Sequence, residues 1–161
     1  MCLKITDGTH QSPKFKEAGI PFLLVSNIVD NEICYETSKY ISLEEYEVLI
    51  KRTPIEVGDI LLTTVGSYGN PAVVKSERKF CFQRHIGYIK PDRNVVNSDF
   101  LKCFFVSPYG KEQIEFRVKG IAQKTLNLTE LKTISVYIPP LHLQNQFADF
   151  VTQVDKSKFV F

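Results

Sequence analysis

Lys119-Gly-Ile-Ala-Gln-Lys-Thr-Leu-Asn-Leu-Thr-Glu-Leu-Lys132, continued by Thr133-Ile-Ser-Val-Tyr-Ile-Pro-Pro-Leu141, decides how this chain is read. Gly120 to Gln123 forms a loop that carries an amide, and Thr129 to Lys132 is one capped helical turn. Ile134 to Ile138 reads as a last strand, with β-branched residues at alternate positions. Pro139-Pro140 closes it, since proline cannot donate to a ladder. From Leu141 the pattern turns helical. Leu143, Phe147, Phe150 and Val154 fall at spacings of four, three and four, as on one seam of a coiled coil, and Ser157 and Phe161 continue the phase.

Upstream, the elements are short. Leu3-Lys-Ile-Thr6 alternates before Asp7-Gly8 turns the chain. Phe22-Leu-Leu-Val25 is an apolar run expected to be a buried strand, and a second short strand is expected over Glu32 to Glu36. Ser42-Leu-Glu-Glu45 has the spacing of a capping box, opening a helix to about Lys51 that Thr53-Pro54 ends. Gly58-Asp59 precedes the strong strand Ile60 to Val65. The turn Ser67 to Asn70 leads into Pro71 to Val74, predicting a hairpin. Phe80 to Ile89 reads as one strand interrupted near Arg84. Asn97-Ser98 caps a helix through Val106, and Ser107-Pro108 starts another that is expected to stop at Gly120. The result is an α/β domain of the α+β type: a mixed, largely antiparallel twisted sheet with a few short helices, then a coiled-coil-like C-terminal helix. Residues 1–140 form the body and 141–161 the start of that helix.

The chain has 161 residues, enough for one domain with a substantial core, and a net charge of +2. No apolar run is long enough to span a membrane, and Met1 to Asp7 has no signal-peptide character. Cys2, Cys34, Cys81 and Cys103 are scattered, which disfavours a metal or redox site; reduced thiols in the cytoplasm are expected. No cofactor is expected. The charge is uneven. Residues 28–60 hold eight acids and three bases, and residues 61–134 hold twelve bases and six acids. The densest basic run contains Lys75, Arg78, Lys79, Arg84, Lys90 and Arg93, suiting one-sided docking on a polyanion.

Catalysis finds little support. Cys81 and His85, four apart on a strand, would lie about 13 Å from one another, whereas proton transfer needs about 3 Å. There is no acidic cluster for metals and no phosphate-binding loop. DNA reading fits better, because it needs cations, hydroxyls and free N–H groups for phosphates, and arginine, lysine or amides for bases. Three loops supply them. The first holds Thr6, Thr9, His10 and Lys14, the second Ser67, Tyr68 and Asn70, and the third Gln123 and Lys124. Lys75, Arg78, Lys79, Arg84 and His85 of the basic run complete the candidate DNA-binding set. Arg84 interrupts an apolar alternation, which points to function because a buried arginine would need a partner.

The C-terminal order of motifs resembles the end of a target-recognition domain in the specificity subunit of type I restriction–modification systems. Ile5-Thr-Asp-Gly-Thr-His10 with Ser12-Pro13 and Gly19-Ile-Pro-Phe-Leu23 resembles its start, and Gly58-Asp-Ile-Leu-Leu-Thr63 with Gly66-Ser-Tyr-Gly69 resembles its centre. The resemblance covers nearly the whole chain. It implies a non-catalytic module that reads one half of a bipartite double-stranded DNA target. Partner subunits would be the modification (methyltransferase) subunit and, through it, the restriction subunit. Only the framework carries over, at Thr6 to His10, Gly66, Gly69 and Gly120 to Gln123, since base-reading residues differ with the target.

The family usually has a leading segment, two recognition domains and long spacer helices. The expectation here is a single-domain, truncated or half-subunit form. It would pair weakly with itself or another specificity subunit through Leu143, Phe147, Phe150 and Val154, and guide methylation poorly. The alternative is a protein-interaction module that binds methyltransferase or specificity subunits and modulates assembly without reading DNA.

Overall fold

The computed structural model describes residues 1–157. Phe161, expected to continue the seam, lies outside the described residues. The strands are β1 (Cys2–Asp7), β2 (Ile20–Leu23), β3 (Ile28–Val29), β4 (Glu32–Ile33), β5 (Tyr40–Ile41), β6 (Ile60–Thr63), β7 (Pro71–Val73), β8 (Cys81–Phe82) and β9 (Ile86–Pro91). The helices are α1 (Leu43–Leu49), α2 (Ser98–Val106), α3 (Pro108–Arg117), α4 (Leu128–Leu131) and α5 (Leu141–Ser157). An antiparallel sheet runs in the order β1-β9-β6-β7. A smaller mixed sheet runs β5-β2-β8, and β3-β4 is a separate hairpin. This is the mixed α+β architecture expected.

β6 is the centre of the core. Ile60 and Leu62 face α2 and α3, packing with Leu101, Phe105 and Ile114, while Leu61 faces Phe80, Phe82 and Tyr88 on the other side. A strand covered on both faces is apolar at every position rather than every second one. That is why Ile60-Leu-Leu62 is continuous. At the start of β6, Asp59 is wholly buried. Its Oδ2 accepts from the Glu56 N–H at 2.8 Å, the Tyr88 hydroxyl at 2.8 Å and Lys90 Nζ at 3.4 Å. Burial first, and then the adjacent Asp59 carboxylate, raise the Tyr88 phenol far above its ordinary value, so it serves as a donor.

Local signals act largely as expected. Ser42, Asn97 and Ser107 cap α1, α2 and α3 with their side-chain oxygens. The box at α1 is half made, because a Glu45 carboxylate oxygen accepts from the Lys14 N–H at 3.3 Å. The β3-β4 hairpin was not expected. Asp30 and Asn31 both take positive φ, 50° and 60°, which suits the two-residue turn that matches strand twist.

Three expectations are corrected. The run Phe80 to Ile89 is two strands in different sheets, because Gln83 to His85 turns the chain from β8 into β9. Helix α3 ends at Arg117, not at Gly120, since Val118 is already extended. Ile134 to Ile138 is extended but joins no sheet. There the Gln113 side chain takes the place of a neighbouring strand, its Nε2 donating to the Ser135 carbonyl at 2.6 Å and its Oε1 accepting the Ser135 N–H at 3.0 Å.

Helix α5 packs along α2 rather than projecting freely. Gln144 is wholly buried. Its Nε2 donates to the carbonyls of Val95 and Pro139 at 3.0 and 2.7 Å, and its Oε1 accepts the Asn97 N–H at 2.9 Å. Phe147 meets Phe100 edge-to-face, with ring centroids 6.0 Å apart. Glu32 braces β4 against this region, lying 3.0 Å from Lys75 and 2.7 Å from Lys102. Partial burial opposes its ionisation, but the two lysine hydrogen bonds outweigh that and lower its carboxyl below the ordinary value. The Glu32 contribution to stability is therefore present above the ordinary carboxylate range, near pH 4.3. It is lost as pH falls through the lowered folded value. Glu32→Gln is expected to lower the melting temperature slightly at pH 7 and to approach the wild type as the pH falls through the lowered folded value, measured by thermal unfolding; Glu32 is half-exposed, so the effect stays under about 1 kcal/mol.

Candidate nucleic-acid interface

β1, β6 and β9 bring three loops to one end of the main sheet. Asp7 pairs with Gly87 and Thr63 with Ile86, so the exits of β1 and β6 meet the entry of β9. Backbone hydrogen bonds then join the loops. The Arg84 N–H donates to the Thr9 carbonyl at 3.0 Å, and the Thr64 N–H to the His85 carbonyl at 2.9 Å. The Leu126 N–H donates to the Thr64 carbonyl at 2.8 Å, and the Gly66 N–H to the Lys124 carbonyl at 3.2 Å. Lys119 and Thr125 exchange both backbone bonds, at 3.0 and 2.8 Å, closing the third loop.

Arg84 and His85 stand between two grooves. One, of about 290 Å³, is lined by Thr9, His10, Gln11, Ser12 and Lys39 together with Arg84 and His85. The other, of about 740 Å³, runs between Arg84 and His85 and the loop holding Gln123, Thr125, Asn127 and Thr129. Arg84 is exposed, as its break in the apolar alternation suggested. Its Nε donates to His85 Nε2 at 3.4 Å, and among the described residues it has no carboxylate partner.

The other candidates divide. His10 is held by Asp7 at 2.8 Å, and Asp7 also receives Arg52, so this acid is neutralised inside the site. Tyr68 is half-buried: its ring packs against the Ile114 cluster and its hydroxyl donates to Glu115. Lys124 lies 2.9 Å from the same Glu115. The Tyr68 and Lys124 hydrogen bonds lower the Glu115 carboxyl, and Glu115 in turn raises Lys124. Lys124 thus reaches a phosphate only by exchanging this partner. Asn70 folds back onto the Ser67 carbonyl at 3.0 Å. Thr6 sits in β1 opposite Tyr88. Lys14 lies at the far end of the first loop, beside Glu45.

Lys75, Arg78 and Lys79 are not brought to this end. They follow β7, whose Val73 pairs with Ile60 at the start of β6. Lys75 is therefore the length of β6 away from Arg84, and Arg78 and Lys79 stand at the entry of β8, whose exit leads to Arg84. Lys75 pairs with Glu32, Arg78 lies over the Tyr35 ring and Lys79 over the Tyr46 ring. Lys90 and Arg93 lie at that end too, beside Glu56 and Asp59. The basic run is therefore one stretch of sequence but two surfaces.

Lys39, Asn127 and Thr129 line the two grooves and were missed. Lys39 is an isolated base in an acidic stretch. The capped turn was expected from Thr129, whereas α4 starts at Leu128 with Asn127 at its N-cap, and the Asn127 side chain makes no capping bond to it. Burial, and then Glu45, push the Cys81 thiol up to about 12, so it is not a nucleophile at neutral pH. Among the described residues no helix is long and apolar enough to cross a membrane.

Gly120 has φ +104°, and a Cβ there would run into the Gln123 carbonyl oxygen. Gly120→Ala is expected to strain this loop by about 1–3 kcal/mol. It should weaken binding at this end about threefold while far-UV dichroism stays unchanged, measured by titration against duplex DNA.

Residues 6–159 match the family described as type I restriction modification DNA specificity domain. The type I restriction enzyme EcoBI specificity subunit of Escherichia coli is 29% identical over 136 residues, covering 84% of this chain and 28% of that protein. A chain solved in work on complex assembly and conformational transition of the type I R-M system superposes with a TM-score of 0.66 at 18% identity, covering 95% of this chain and 36% of that one. The S subunit of a type I restriction–modification system from M. genitalium gives 0.62 at 12% identity, with coverage of 95% and 36%. At these identities the structural likeness shows a shared fold. The chain spans 28% to 36% of the length of these relatives.

Proposed function

Because the chain belongs to the type I restriction–modification DNA specificity domain family, we propose that it reads one half of a bipartite double-stranded DNA target and performs no chemistry of its own. The observation that carries this reading is the convergence of Thr9 to Ser12, Arg84 and His85, and Gln123 to Thr129 on one end of the sheet. Cations, hydroxyls and amides together are the set that phosphate and base contacts require. Arg84, exposed and without a carboxylate partner among the described residues, is the central contact. In this reading the modification (methyltransferase) subunit binds the module and acts on the DNA it selects, with the restriction subunit joining through it.

A second reading rests on α5. Leu143, Phe147, Phe150 and Val154 each keep a third or more of their surface exposed, and an apolar strip of this kind marks an interaction face. The face would pair with another copy or with another specificity subunit, or would bind the methyltransferase as an assembly modulator.

Selection of the purified chain on a randomised duplex library at about 50 and about 200 mM salt tests the first reading. Enrichment of a motif of a few base pairs, with affinity falling steeply as salt rises, is the expected result. Absence of binding at both salts sinks DNA reading and leaves the α5 face as the working surface.

A further inference from the structure

The two grooves flanking Arg84 differ in chemistry, and the difference assigns them different parts of a duplex. In the Thr9 to Ser12 groove, Lys39, His10, Arg84 and His85 are the titratable groups, and no carboxylate lines it among the described residues. Lys39 is steadied over the Phe15 ring at 4.6 Å. This is a cationic channel with hydroxyls along its wall, the chemistry of a phosphate track.

The wider groove is different. Its two acids are already neutralised, Asp7 by Arg52 and Glu130 by Lys119. Apart from Arg84 and His85, which both grooves share, what remains available is amide and hydroxyl: Gln123, Asn127 and Thr129, all exposed, with no side-chain hydrogen bond among the described residues. Asn127 stands at the N-cap of α4 without capping it. An asparagine in that position ordinarily turns its oxygen onto the helix N–H groups, and here both ends of the amide stay available to a ligand. Asparagine and glutamine pair with both major-groove atoms of adenine.

We propose that the Asn127–Gln123 groove reads bases and the Lys39 groove holds phosphates, so that Asn127 and Gln123 set sequence preference at A·T pairs while Lys39 sets affinity. This assignment rests on the DNA-reading function proposed above and adds a specificity role for Asn127 and a phosphate role for Lys39.

The test is library selection with the wild type, Asn127→Ala, Gln123→Ala, Asn127→Asp and Lys39→Ala. Asn127→Ala and Gln123→Ala are each expected to flatten one A·T position, lowering affinity for the selected duplex about tenfold and leaving affinity for mismatched duplexes within about twofold. Asn127→Asp keeps the shape and exchanges a donor for an acceptor, so its preference at that position moves from adenine to cytosine. Lys39→Ala keeps the motif, weakens all sequences alike and reduces the salt slope by about one. A wild-type motif that survives both alanine changes at the amides, or that shifts with Lys39→Ala, overturns the assignment while leaving DNA reading intact. A wild type that binds no duplex removes DNA reading itself, and the assignment with it.

Discussion

Arg84→Glu is expected to weaken binding to the selected duplex about 30- to 100-fold. Losing a cation that reaches bases or phosphates costs about 1–3 kcal/mol, and the introduced carboxylate adds repulsion at the point where both grooves meet. Stability should change by less than about 0.5 kcal/mol, because Arg84 is exposed and its side chain hydrogen-bonds only to His85 among the described residues. The charge reversals Lys75→Glu and Arg78→Glu serve as controls. They make the same change in net charge at the opposite end of the sheet, and are expected to lower affinity less than about threefold near 150 mM salt, where the Debye length is about 8 Å. Equal losses from all three variants in fluorescence anisotropy would place the duplex along the whole basic run and remove Arg84 from its central position.

Gln144→Ala is expected to destabilise the chain by about 2–4 kcal/mol. The side chain satisfies two carbonyls and one N–H in a place from which water is excluded. Each buried group left unpaired costs about 1–3 kcal/mol, partly relieved where water enters the cavity. In a domain of this size that lowers the melting temperature by about 5–15 °C. Gln144→Leu fills the volume but pairs none of the three groups, so it should cost nearly as much. If the leucine variant instead melts with the wild type, α5 is held by packing alone. Hydrogen exchange localises the effect, since protection should fall in α5 and at the start of α2 before it falls in β6.

Sequence made the local features legible. Ser42, Asn97 and Ser107 were readable as caps because a cap acts within three residues. The β6-β7 hairpin was readable because its turn and both strands are contiguous. What escaped depends on distant partners. Ile134 to Ile138 has a strand's alternation, but its backbone is answered by Gln113, twenty-two residues away. The division of Phe80 to Ile89 follows from β8 joining β2 while β9 joins β1 and β6. At the site, residue type alone identified three polar loops and Arg84. It could not show that Lys75 to Lys79 and Arg84 lie at opposite ends, because that follows from the register of β7 and β9 on β6. Asn127 escaped for a local reason: the capped turn was expected from Thr129, so the N-cap two residues earlier went unread.

The loops around Arg84 are tied to one another through main-chain atoms, Arg84 to Thr9, Thr64 to His85, and Leu126 to Thr64. A scaffold joined this way does not depend on which side chains it displays. The face behaves like a typesetter's frame, in which the characters are exchanged and the frame stays locked. Simultaneous substitution at 84, 123, 127 and 129 should therefore yield folded proteins at high frequency, each with its own preferred duplex, so that new specificities arise here without compensating changes in the core.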